Sequence, residues 1–152
     1  MGLDSTIYAR KCLYNTDRDA LRELLLTLLP SSMRLDNMYY GSDICIPVCS
    51  WRKYDFLHRW FVNNVQGGED DCRRYQVSHY ELLSLYNECQ RLVNQRNSQA
   101  AMASDLSLDC GGDAGLYDDE YWDTLQGIVD DLKPLVMDLI PAGFSFEYVG
   151  SH

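Results

Sequence analysis

Residues 43–65 read DICIPVCSWRKYDFLHRWFVNNV, and the way this stretch divides decides the fold. Its first seven residues, Asp43 to Cys49, are apolar and rich in β-branched side chains, which suits a pleated strand. Pro47 has no backbone N–H to give a ladder, so the segment is expected as an edge strand or an extended loop. From Ser50 onward the apolar spacing changes to the helical one. Trp51, Tyr54, Leu57, His58, Phe61, Val62 and Val65 fall on one face, and Arg52, Lys53, Asp55, Arg59 and Asn63 fall mostly on the other. The pattern predicts a helix over 50–65, with Ser50 as its N-cap and Gly67 or Gly68 ending it in a left-handed conformation.

The flanking sequence extends this alternation. Thr6 to Tyr14 alternates β-branched and aromatic residues and predicts a strand. Asp17 to Pro30 carries Leu21, Leu24, Leu25 and Leu28 at helical spacing, and residues 38–40 predict a short extended piece. Tyr75 to Val77 is a brief extended lead-in. Ser78 and Glu81 then form a capping box that opens a helix running to about Asn94, with Leu82, Leu85, Tyr86, Cys89, Leu92 and Val93 inward. Residues 94–117 change character, and their second half, rich in Gly, Ser and Asp, predicts a loop. Asp118 opens the last helix, with Tyr121 or Trp122, Leu125, Ile128, Val129 and Leu132 as its buried stripe and a kink or restart at Pro134. Phe144 to Val149 closes the chain as a strand. The expected class is α+β, a small and mainly antiparallel sheet with three to four helices packed on one face. The 152 residues are expected to form a single domain, with a flexible acidic loop near 98–116.

Charge is divided unevenly. Residues 1–104 carry twelve acidic and twelve basic side chains; residues 105–152 carry eleven acidic and one basic, Lys133, so the net charge of −10 belongs to the last third. Its densest part is DCGGDAGLYDDEYWD, Asp109 to Asp123. Such asymmetry suggests an interaction surface, and an acidic one repels phosphates while attracting basic grooves. A solubilising face is the plainer account of the same charge. The arginines form no continuous basic stripe, so direct nucleic-acid binding is not expected. No apolar run is long enough to span a bilayer, and the N-terminus MGLDSTIYARK carries no secretion signal. Met1, Gly2 and Thr6 fit the loose myristoylation pattern, without a polybasic companion. Six cysteines in a chain of this size, without such a signal, are expected as free thiols in a reducing cytosol.

No catalytic arrangement stands out. Cys45 and Cys49 are four apart and in a regular strand would point the same way, yet a zinc site needs a second such pair, which is lacking. His58 is expected as a core-edge histidine hydrogen-bonded to a neighbour, and His79 lies in the first turn of the next helix. The acidic cluster admits two uses. Asp109, Asp113, Asp118 and Glu120 could wrap a divalent cation on a glycine-containing loop, without EF-hand spacing, serving a small cation-binding protein or an enzyme with His58 or His79. Alternatively, Asp119, Asp123 and Asp130 share one side of the last helix with Glu120 and Asp131 flanking, and a row of carboxylates can imitate phosphates before a basic groove. The second use accounts better for the number of acids. No cofactor or metal is therefore assigned. The candidate partner-binding residues are Asp113, Asp118, Asp119, Glu120, Asp123, Asp130 and Asp131 for attraction, with Tyr117, Tyr121 and Trp122, where exposed, as anchors.

The segments MGLD at the start, WRK (Trp51 to Lys53), HRWFVNNVQGGEDDC (His58 to Cys72), YQVS (Tyr75 to Ser78), YDDEYW (Tyr117 to Trp122) and FSFEYV resemble a family of small uncharacterised phage and prophage proteins. The resemblance touches most of the chain, least at residues 15–45 and 94–112. It implies a mobile-element origin and carries over no catalytic residue. Together with size and charge, it leads to the expectation of an anti-CRISPR-like inhibitor in the host cytoplasm. Such an inhibitor would bind a basic nucleic-acid-binding surface of a host protein, for example a CRISPR–Cas component, rather than nucleic acid or membrane.

Overall fold

The computed structural model describes residues 3–12, 43–108 and 113–151. The helix expected at residues 17–30 and the extended piece at 38–40 lie outside them, as do Asp109 and Cys110. The described elements are β1 (Asp4–Cys12), β2 (Asp43–Arg52), α1 (Asp55–Asn64), β3 (Tyr75–Val77), α2 (His79–Gln95), α3 (Ser98–Met102), a 3-10 turn (Ala114–Leu116), α4 (Asp119–Pro134), a π-helical turn (Leu135–Leu139) and β4 (Ser145–Ser151). The strands make one antiparallel sheet in the order β2-β1-β4-β3. The class is α+β.

The opening stretch divides later than its periodicity predicts. Ser50, Trp51 and Arg52 continue β2, pairing with Thr6, Ser5 and Asp4 of β1, and the helix begins only at Asp55. Trp51 is inward in either reading, so its burial could not separate strand from helix; pairing with β1 does. Lys53 makes the corner with φ at +64°, its N–H bonded to Leu3 O at 2.7 Å. On α1 the buried residues are Phe56, Leu57, His58, Trp60 and Phe61. Gly67 and Gly68 both take positive φ after it, as expected of a helix end.

Among the described strands, Pro47 sits on an edge one. The ladder shifts beside it: Ile7 pairs with Cys49 but Tyr8 with Pro47, so Val48 is an extra, bulged residue. The bulge reverses the facing of everything beyond it. Cys49 is buried beneath the sheet while Cys45 is exposed opposite Arg10, so the two thiols do not share a face as an unbroken strand would have it. Burial pushes the Cys49 thiol up to about 12, with Asp131 adding to the effect, which keeps it protonated and inert at neutral pH.

One face of the sheet holds the core. Ser5, Ile7 and Ala9 of β1, Cys49 and Trp51 of β2, Val77 of β3 and Phe146, Tyr148 and Gly150 of β4 all point into it. The helices cover that face: Phe61 of α1 stacks on Tyr148 with centroids 3.8 Å apart, His79 at the start of α2 meets Phe146 edge-on, and α4 bonds to β2 through Asp131. The stripe of α4 is buried as expected, Tyr121, Trp122, Leu125, Ile128, Val129 and Leu132 together. Pro134 cannot donate back to Asp130, and the helix widens into the π turn directly after it.

The capping box of α2 forms in full, with Glu81 N donating to Ser78 Oγ at 3.1 Å and Ser78 N to Glu81 Oε2 at 2.8 Å. Ser78→Ala is expected to cost about 1 kcal/mol, read from urea unfolding.

The start of the loop expected near 98–116 is instead helical. Residues 98–102, SQAAM, form α3, capped by Asn97 Oδ1, which accepts from Gln99 N at 2.9 Å. Ala101 and Leu106 are fully buried, and Tyr121 donates its hydroxyl to Leu106 O at 2.9 Å. Alanines favour the helix once Asn97 starts it, and Leu106 ties the following turn to Tyr121 of α4.

Candidate functional site

The acidic face is built by α4 itself. Asp118 Oδ1 accepts from Tyr121 N at 3.2 Å as N-cap, and Asp119 and Glu120 occupy the first turn, where carboxylates complement the helix dipole. Because the apolar stripe is turned to the core, the opposite side must carry Asp119, Asp123 and Asp130, all exposed, with Glu120 and Asp131 exposed beside them. Among the described residues, none of these five is in an ion pair with a cationic side chain.

Their surroundings are unequal. Asp130 accepts from Gln126 Nε2 at 3.0 Å. Asp131 ties α4 to the sheet, accepting from Trp51 Nε1 at 2.9 Å through its carboxylate and from the Cys49 thiol at 3.4 Å through its carbonyl. Asp113 accepts from Gly115 N at 2.9 Å and opens the 3-10 turn. Asp119, Glu120 and Asp123 are the members most open to a partner.

The aromatic anchors are a correction. Tyr117, Tyr121 and Trp122 are 6%, 5% and 5% exposed and belong to the core. Their rings form a ladder, Tyr117 to Tyr121 at 4.8 Å and Tyr121 to Trp122 at 4.9 Å, both edge-on, and Phe56 of α1 adds to it at 5.7 Å from Tyr121. Burial raises the Tyr121 hydroxyl well above the ordinary tyrosine range. In this conformation they support the acidic helix from below and offer a partner almost no surface.

The histidines stand apart from the acids. His79 Nε2 bonds to Phe144 O at 2.7 Å. His58 is buried, as a core-edge histidine should be, in a relay of four side chains. Its Nε2 is 2.9 Å from Asp70 Oδ1, its Nδ1 is 2.6 Å from the Tyr148 hydroxyl, and that hydroxyl is 2.9 Å from Ser5 Oγ. With the imidazole neutral every member is satisfied: Ser5 donates to Tyr148, Tyr148 to Nδ1, and Nε2–H to Asp70. Burial pushes the Tyr148 hydroxyl up to about 12, against the lowering effect of its bond to Ser5, so it keeps its proton at neutral pH. Sequence reasoning did not find this relay, because its members lie up to 143 positions apart. The one hint was His58 on an aromatic helix face. Among the described residues no group of three or more His, Cys, Asp or Glu converges as metal ligands.

A cleft of about 500 Å³ opens between the start of α1 and the start of α4. Lys53 and Arg59 line it from one side, Asp118 and Glu120 from the other, over Phe56 and Tyr121. Compared with known proteins, the chain matches no family model, no curated protein and no solved structure.

Proposed function

We propose that this chain is a non-enzymatic interaction protein that docks its acidic helix on a basic surface of a host protein. The observation that carries this reading is the exposed row Asp119, Glu120 and Asp123, which no described cation neutralises and which a well-anchored helix holds in place. A rigid array of like charges is costly to maintain unless opposite charge meets it, and it raises association rates with a basic partner. The finer reading is an anti-CRISPR-like inhibitor of phage origin that occupies a nucleic-acid channel. It draws on the resemblance to phage proteins and on the charge. Recognition rests on carboxylates rather than on Tyr117, Tyr121 and Trp122.

The test is affinity capture from a bacterial lysate at low and high salt, followed by association kinetics with the captured protein. The expected partner handles nucleic acid, binds at low salt and is released at high salt. Asp119→Asn, Asp123→Asn and Asp130→Asn together are expected to slow association by about tenfold or more while lowering the melting temperature by only a few degrees, since all three are exposed and only the dipole contribution of Asp119 is lost. Unchanged association by the triple variant would sink the proposal.

A further inference from the structure

We infer that the cleft between α1 and α4 binds a small zwitterion with a flat apolar body, of the chemical class of the aromatic amino acids. Its volume of about 500 Å³ lies within the range of small-molecule sites, roughly 300–1,000 Å³. Its floor is apolar. Phe56 and Tyr121, 8% and 5% exposed, meet at its base with their rings tilted at 53°, and Tyr54, Leu108 and Leu116 supply the more accessible apolar lining, Leu116 being 49% exposed.

The charges of the cleft are divided into those already engaged and those left over. Arg59 donates to Ser107 O, and Asp118 is spent on its helix cap. Lys53 lines the cleft opposite two carboxylates, Asp55 and Glu120, and among the described residues none of the three is in an ion pair, with each other or with another side chain. One cation and two carboxylates held over one apolar floor without pairing match a carboxylate, for Lys53, and an ammonium, for Glu120 with Asp55, carried on a single ring-bearing molecule. Ligands with several negative charges are disfavoured, because Asp55, Asp118 and Glu120 all line the cleft.

The backbone at Lys53 supports the assignment. Its φ of +64° is a conformation that glycine or asparagine takes at lower cost. Strain of this kind gathers where a side chain is needed in one place, and here that side chain reaches the cleft. The inference shares Asp118 and Glu120 with the docking proposal, and Lys53→Asn tests the cleft without touching the acidic row.

The experiment is calorimetric titration of the full chain with L-phenylalanine and L-tryptophan. The comparators are 3-phenylpropionate, which lacks the amine, phenethylamine, which lacks the carboxylate, and glycine, which lacks the ring. One of the two amino acids is expected to bind one-to-one, with each comparator about tenfold weaker or more, as the loss of one charge-assisted contact implies. Lys53→Asn and Glu120→Gln are each expected to weaken binding by about tenfold. Lys53→Asn should keep or raise the melting temperature, because asparagine tolerates the backbone there, so lost binding cannot be ascribed to lost folding. No saturable binding of either amino acid at millimolar concentration overturns the inference. So does equal binding of phenethylamine, or undiminished binding by both variants.

Discussion

Gly150→Ala is expected to destabilise the fold by about 3 kcal/mol, the upper end of what overpacking a filled core costs. A Cβ on Gly150 would lie 2.5 Å from His58 Cε1 and 2.7 Å from Nδ1, with the Tyr148 hydroxyl at 3.1 Å. These are not flexible side-chain ends that can swing aside. His58 is held by Asp70 and Tyr148, and Tyr148 by Ser5 and the stacked ring of Phe61. The imidazole must move, and moving it breaks buried hydrogen bonds. For a domain of this size the melting temperature should fall by roughly 6–12 °C. His58→Ala in the same chain should remove much of the penalty, so that the double variant is less destabilised than the two single losses combined. Additive losses would show that Gly150 is required for another reason.

Tyr148→Phe should cost about 2–3 kcal/mol in denaturant unfolding, although it removes one oxygen atom. The ring and its 3.8 Å stack on Phe61 remain. Ser5, 1% exposed, and His58, 6% exposed, both lose their shared partner in a place that water does not reach. A buried polar group left unpaired costs about 1–3 kcal/mol, more than the net worth of the bond itself. A loss below about 0.5 kcal/mol would mean that the relay is not held as described.

How much of this was legible from residues depends on the range of the interaction. The capping box at Ser78 and Glu81, the inward stripe of α4 from Tyr121 to Leu132, the edge position of β2 around Pro47 and the disruption at Pro134 were all readable. Each is set by residues within a turn or two, or by the missing N–H of one proline. Spacing places the start of α1 too early because Trp51 is buried as the end of a strand just as it would be on a helix. Helical structure at 98–102 is hidden by a composition that reads as a linker, and only the burial of Ala101 and Leu106, with the bond from Tyr121 to Leu106 O, sets it apart.

The candidate site divides in the same way. The acidic side of α4 follows from the sequence, since a helix that turns Leu125, Ile128 and Leu132 inward must present Asp119, Asp123 and Asp130 outward. The burial of Tyr117, Tyr121 and Trp122 does not follow from spacing alone, because it depends on Phe56 and Leu106 arriving from other parts of the chain. The relay from Asp70 to Ser5, the opposite facing of Cys45 and Cys49, and the cleft between Lys53 and Glu120 are likewise matters of tertiary structure. By itself the sequence determined the α+β class, most of the element types and the carboxylate row, because helical and strand periods and charge placement are local properties. Tertiary structure alone decided which side chains meet, because contacts across up to 143 positions are made by the sheet and its covering helices and leave no spacing pattern to read.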